Sequence, residues 1–147
     1  MKIVTLLFLT LFLGKGCSNP TQTDIKDATI EYSAYSRGFY QKIIIQNQTL
    51  TNQRDRKGID KPEVIQISDA DWQILVSDFQ KIKIEGIPNL KDPTQNRFYD
   101  GAAIAEMKVT YNEKTYQTTN FDHGTPPAEI ADLVNKIVSL TNKENEN

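Results

Sequence analysis

Two short segments concentrate the residue types that do chemistry: Arg97-Phe98-Tyr99-Asp100-Gly101 and Phe121-Asp122-His123-Gly124-Thr125-Pro126-Pro127. His123 is the sole histidine of the 147 residues, and a carboxylate precedes it directly. An acid beside an imidazole can do general acid–base work when the carboxylate orients the ring and a nucleophile lies within reach. No Gly-x-Ser-x-Gly context supplies that nucleophile, and no glycine-rich loop is present to cradle phosphates. One histidine and one cysteine leave a zinc site dependent on carboxylates for most of its ligands, an uncommon donor set. The expectation is a non-enzymatic protein with no catalytic residues, no metal and no cofactor. Arg97, Asp100, Asp122 and His123 form a candidate corner, for binding or for structure. The rival reading is a small ligand-binding protein or hydrolase that uses Asp100, Asp122 and His123.

What would bring these residues together is a β-hairpin. Ala103, Ala105, Met107, Val109 and Tyr111 alternate with Glu106, Lys108 and Thr110, the period of a strand with one buried face. Asn112-Glu113-Lys114 turns the chain, and residues 115–121 return with Tyr116 and Thr118 in phase. Pairing Tyr111 with Tyr116 sets Asp122 opposite Ala105 and Asp100 opposite Pro127, and a two-residue turn would shift this by two positions. Both segments then meet at one hairpin end, beside the start of a final helix. In the structural reading, Asp100 or Asp122 caps the N–H groups of Ala128 and Glu129 or pairs with Arg97, and His123 is a solvated turn residue. Arg37 can approach this corner but is not placed by the pattern.

The remaining elements follow from changes of hydrophobic period. Residues 29–35 alternate with Ile30, Tyr32 and Ala34 on one face, and 39–46 alternate after a break at Arg37-Gly38. Asn47-Gln48 is a turn signal, 49–52 a third strand, and 64–67 a fourth after the charged turn at 54–60, which together make a meander. Ser68 is a favoured N-cap, with Asp69 and Asp71 where a helix dipole favours negative charge. Trp72, Leu75, Val76, Phe79 and Ile82 recur at spacings of three and four, one apolar stripe whose expected place is the core. Gly86 and Pro88 are read as its stop. Pro126-Pro127 can begin a second helix, striped by Ile130, Leu133, Val134, Ile137 and Leu140. The predicted fold is α+β: an antiparallel sheet, meander plus C-terminal hairpin, with two amphipathic helices on one face. Its limits are 29–141, followed by a polar tail, 142–147.

Ahead of this domain lies a different kind of segment. Lys2 precedes an apolar run, Ile3 to Leu13, interrupted only by two threonines. As a helix the run would reach roughly 16 Å, against about 30 Å of bilayer hydrocarbon. That is the length of a signal-peptide core rather than of a membrane span. Gly14 and Gly16 then flank the approach to Cys17, the sole cysteine, so no intramolecular disulfide can form. In an oxidising compartment a lone thiol is a liability unless other chemistry consumes it. Leu13-Gly14-Lys15-Gly16-Cys17 resembles the lipobox of bacterial lipoprotein precursors. Gly16 and Cys17 fit that pattern; Leu13 stands one position early and Lys15 is atypical. The resemblance implies cleavage after residue 16, a diacylglyceryl thioether on Cys17 with acyl chains such as palmitate, and a tether at 17–28. The alternative is a soluble periplasmic protein cut near Gly16 or Ser18.

Charge narrows the partners. The chain carries a net charge of −2 with no long block of either sign, which argues against nucleic acid and gives no polybasic face for anionic lipid. The expected partners are the membrane, through the anchor, and another envelope protein. The segments RGFYQ, FYDGA and FDHGTPP resemble small uncharacterised lipoproteins of Bacteroidetes-type envelopes, over about residues 29 to 140. That likeness implies a Gram-negative envelope and assigns no catalytic residue. Ser18 after Cys17 resembles outer-membrane sorting, so the expected location is the periplasmic face of the outer membrane.

Overall fold

The computed structural model describes residues 24–142; Cys17, the segment read as a signal peptide and the end of the polar tail lie outside the described residues. Alternation in the sequence becomes a sheet with one buried face. Strands β1 (Ala28–Tyr35), β2 (Tyr40–Gln46), β3 (Thr49–Gln53) and β4 (Glu63–Gln66) form the expected antiparallel meander. Strands β5 (Ile104–Tyr111) and β6 (Lys114–Gln117) form the expected hairpin, and β5 pairs with the free edge of β1. The order is β4-β3-β2-β1-β5-β6, with the short β7 (Phe121–Asp122) pairing with the start of β5. The fold is thus α+β, as the periodicity predicts.

Register explains why this pairing is specified. Ile30 lies opposite Ile45 on one side and Val109 on the other, and Tyr32 lies between Ile43 and Met107. A slip of one residue would turn all of these side chains to the polar face. That face carries Glu31, ion-paired to Lys42 at 3.1 Å and Lys108 at 2.6 Å. Both two-residue hairpin turns, β2–β3 and β5–β6, have two residues with positive φ, Asn47-Gln48 and Asn112-Glu113, the conformation that matches strand twist.

Helix α1 (Asp69–Gln80) starts at Ser68, whose side chain accepts from the Asp71 N–H. It lays Trp72, Leu75 and Phe79 into the core, each contributing about 1.5–3 kcal/mol of transfer energy. The helix ends before the expected stop. Gly86 and Pro88 lie instead within 3-10 turns at Ile84–Asn89, which bury Ile84 and Ile87. Helix α2 (Ala131–Leu140) buries Leu133, Val134, Ile137 and Leu140, and Lys136 bonds Asp71 of α1 at 2.6 Å. It begins later than Pro126-Pro127; a 3-10 turn at Ala128–Ile130 intervenes.

The domain also begins earlier than 29. A 3-10 turn at Ile25–Asp27, capped by Asp24, puts Ile25 into the core at 1 % exposure. An isolated isoleucine in a polar stretch has no period to announce it, so the region read as tether includes part of the fold.

Candidate functional site

The two chemistry-bearing segments do meet at one end of the sheet, by a register that differs from the expected one. The β5–β6 turn has two residues, so Lys114 faces Tyr111 and Tyr116 faces Val109. The return strand then bulges. Thr118 N–H donates to the Met107 carbonyl at 2.9 Å, and the Thr118 hydroxyl accepts the Met107 N–H at 3.0 Å, replacing a backbone acceptor. Beyond the bulge Phe121 faces Ala105 and Asp122 faces Ile104, one position from the expected partner of Asp122. Residues 118–120 supply the extra length, as a bulge does.

Asp122 is the hub of the corner and is inaccessible to solvent. It does not cap α2: Pro127 and Ile130, at the starts of the last two turns, have no side-chain cap. Its Oδ2 accepts from the Thr94 hydroxyl and the Asn96 N–H, both at 2.6 Å. Its Oδ1 accepts from the Arg97 N–H at 3.1 Å and from the Arg97 guanidinium at 3.0 Å. Asp122 therefore caps the 3-10 turn Asn96–Tyr99 from a distant strand. Burial opposes its ionisation, but the bonds from Thr94, Arg97 and the two N–H groups outweigh burial and hold its pKa at about 2. Arg97, whose side chain is 8 % exposed, spends its second nitrogen on Asp92 at 2.7 Å. Burial disfavours the guanidinium charge, and the two carboxylates overcome that cost. The pairing of Arg97 with an aspartate is as expected; Asp92 and Thr94 were not foreseen, because they sit in a stretch without periodicity.

Asp100 is set apart from this network. It follows the 3-10 turn in the left-handed conformation at φ 56°, with an exposed side chain. Gly101 follows because its N–H bonds the Asn96 carbonyl at 2.9 Å, and a Cβ there would stand 3.2 Å from that oxygen. Asp100 to Ala103 line a cleft of about 390 Å³ together with Ser36 and Arg37. Arg37 thus does reach the corner, through the β1–β2 turn.

His123 is half-buried, not a freely solvated turn residue. Its Nδ1 lies 2.7 Å from the hydroxyl of Tyr32, and its ring is 5.2 Å from that of Phe39. Gly124, at φ 89°, completes the turn, which closes with Thr125 N–H donating to the Asp122 carbonyl at 2.9 Å. Burial pushes the imidazole pKa down and that of the Tyr32 phenol up. The adjacent carboxylate of Asp122 is turned to Thr94, Asn96 and Arg97, so the two side chains do not make an acid–histidine dyad. Tyr32 was legible only as an inward strand residue, and nothing in the sequence joins it to His123.

A second buried polar group was missed altogether. Gln41 donates to Asn52 at 3.3 Å and to Thr141 at 3.1 Å, Asn52 donates to Glu63 at 2.9 Å, and Arg54 donates to the Thr141 carbonyl. This ladder ties the C-terminus of α2 to the sheet. Its signal was present: Gln41 and Asn52 stand at inward phases of β2 and β3.

Among the described residues no group of histidine, cysteine and carboxylates is arranged to hold a metal ion, and no helix is long and apolar enough to cross a membrane. Comparison with known proteins gave no matching family model, no similar curated protein and no similar solved structure.

Proposed function

We propose that this protein is a lipid-anchored lipoprotein of the bacterial envelope, attached through Cys17, whose domain acts as a binding or structural module. In this reading it is one of the small lipoproteins of Bacteroidetes-type envelopes and sits on the periplasmic face of the outer membrane. The supporting observation is polarity along β1. The tether precedes residue 24, near the start of that strand, while the segments with chemical character gather past its other end. Eight residues at about 3.3 Å each separate the two ends by roughly 26 Å. At the far end Phe98 and Tyr99 are 66 % and 86 % exposed, on a turn that Asp122 and Arg97 fix from below. Exposed aromatic side chains on a rigid base suit recognition of a partner. Asp122 and Arg97 are the base, and Arg37, Phe39, Tyr99 and Asp100 are the surface.

Two measurements test this. Cys17→Ala should abolish incorporation of labelled fatty acid and release the protein from the membrane fraction; a wild type that is already soluble and unlabelled sinks the anchor. A photo-reactive phenylalanine analogue at position 99, in cells, should give a discrete crosslinked species, and the same analogue at Glu113, at the opposite sheet end, should not. Equal crosslinking from both positions refutes the polarity.

A further inference from the structure

The same sheet end carries a second cleft, of about 340 Å³, between the β1–β2 turn and the loop after β3. Arg37, Arg54, Arg56 and Lys57 line it, with the rings of Phe39 and Tyr40. We propose that this cleft binds a small phosphate-bearing ligand, with Arg37 and Lys57 free to close on the phosphate and Arg56 preset at its wall. The proposal names a ligand class for the binding end identified above, and it holds whether or not Cys17 is lipidated.

The loop is built to gather cations. Asp55, its one carboxylate in the cleft, is turned to the backbone: Oδ1 accepts from Lys57 N–H at 2.9 Å, and Oδ2 from Ile59 and Asp60 N–H at 2.6 and 3.1 Å. Gly58, at φ 66°, lets the chain close around it. Asp55 thus shapes the loop that carries Arg54, Arg56 and Lys57 and forms no ion pair with them. Arg56 is held by the Ser36 carbonyl at 2.7 Å, with its guanidinium carbon 5.8 Å from the ring centres of both Tyr35 and Tyr40. Arg54 bonds the Thr141 carbonyl. Among the described residues the side chains of Arg37 and Lys57 make no hydrogen bond or ion pair.

Clustering gives this weight. Arg37, Arg54, Arg56 and Lys57 make no ion pair among the described residues, although the chain as a whole is acidic. Four such cations around one cleft, against the single carboxylate of Asp55, create a local positive field. Guanidinium forks match phosphate oxygens, and a phosphomonoester brings about −1.5 to −2 of charge against −1 for a carboxylate. The volume lies near the lower end of the range for small-ligand clefts, about 300–1,000 Å³, and Phe39 and Tyr40 in the lining add apolar surface for the organic part.

Calorimetric titration of the full chain at low salt tests this, with phenyl phosphate, inorganic phosphate and benzoate as probes. Phenyl phosphate should bind saturably with a Kd below about 1 mM, and benzoate should bind at least about tenfold more weakly. Rising salt should weaken the phosphate complex. Arg37→Ala and Lys57→Ala should each weaken it several-fold with unchanged thermal melts, since neither side chain holds the fold. Arg56→Lys keeps the charge but loses the fork, and should weaken binding as well. No saturation by about 10 mM, equal binding of benzoate, or unaltered binding by the Arg37→Ala/Lys57→Ala double variant overturns the proposal. So does binding confined to vesicles of phosphatidic acid in phosphatidylcholine, which would make the face a lipid contact. Fatty-acid labelling of Cys17 and crosslinking at position 99 report on the proposed function separately.

Discussion

The hydroxyl of Tyr32, on the buried face of β1, and Nδ1 of His123, in the turn after β7, are 2.7 Å apart. Tyr32 is 1 % exposed, and this is its hydroxyl's one hydrogen bond among the described residues. With Nδ1 as its one partner, the buried phenol leaves no proton stranded only if it donates, and that arrangement puts the ring hydrogen of neutral His123 on Nε2. His123→Ala strands a buried hydroxyl and should cost about 1–3 kcal/mol, whereas Tyr32→Phe, which removes the stranded group itself, should cost about 0.5–1.5 kcal/mol. The double variant should lose less than the sum. Urea melts of the three proteins check this, and strictly additive losses would mean that the contact carries no energy.

The same contact sets a pH dependence. A protonated His123 must donate from Nδ1, so it can no longer accept the Tyr32 proton, and burial already disfavours the imidazolium. The folded pKa lies below the ordinary 6.5, so the unfolded chain binds more protons once the pH drops below that value. Stability from this source is complete above pH 6.5 and is lost as the pH falls toward the folded pKa. The melting temperature of the wild type should thus decline as the pH falls below about 6.5, and the decline should be shallower in His123→Ala. Parallel profiles would remove His123 as its origin.

Periodicity made the elements legible, because a strand with one buried face must alternate and an amphipathic helix must recur at three and four. Tyr32, Ile43, Met107 and Val109 all point inward as their phase predicts, and Ser68 caps α1 as its type predicts. The corner was legible as a place but not as a mechanism. The bulge at Thr118 shifted the register by one, and no pattern of apolar residues encodes a hydroxyl standing in for a carbonyl. Asp100 or Asp122 reads in the sequence as a cap for the helix that follows or as a partner of Arg97; Asp122 does pair with Arg97, but the turn it caps lies upstream, since hydrogen-bond partners follow space rather than order. The basic cleft was hidden for the same reason: Arg37 and the 54–57 segment are separate in the chain and adjacent only across the end of β2.

Trp72 tests the interior. At 5 % exposure it packs in the same cluster as Leu75 and Phe79, so Trp72→Ala should cost about 3–5 kcal/mol. Ile74, two positions on, is 45 % exposed, and Ile74→Ala should stay within about 0.5 kcal/mol in a denaturant series. Comparable losses would contradict the difference in burial between the two positions.

Asp100 and Asp122 should respond in opposite ways, which separates the exposed face of the corner from its base. Asp122 satisfies two N–H groups, one hydroxyl and one guanidinium in a buried site. Removing one partner of a buried pair leaves the other charge uncompensated, so Asp122→Ala should cost about 3–5 kcal/mol. Asn keeps the shape and loses the charge, so Asp122→Asn should fall between that variant and the wild type. Asp100 makes no such bonds and sits at φ 56°, where glycine is less strained. Asp100→Gly should be neutral or stabilising, whereas Asp100→Val should destabilise, since a β-branched residue resists that conformation. Acid titration adds an independent check. The folded pKa of Asp122, about 2, lies below the ordinary 3.8, so its contribution is complete above pH 3.8 and is lost as the pH falls through 2. Asp122→Asn should flatten the acid limb of the stability profile. If Asp100 variants lose stability and Asp122 variants do not, the base and the exposed face have been assigned the wrong way round.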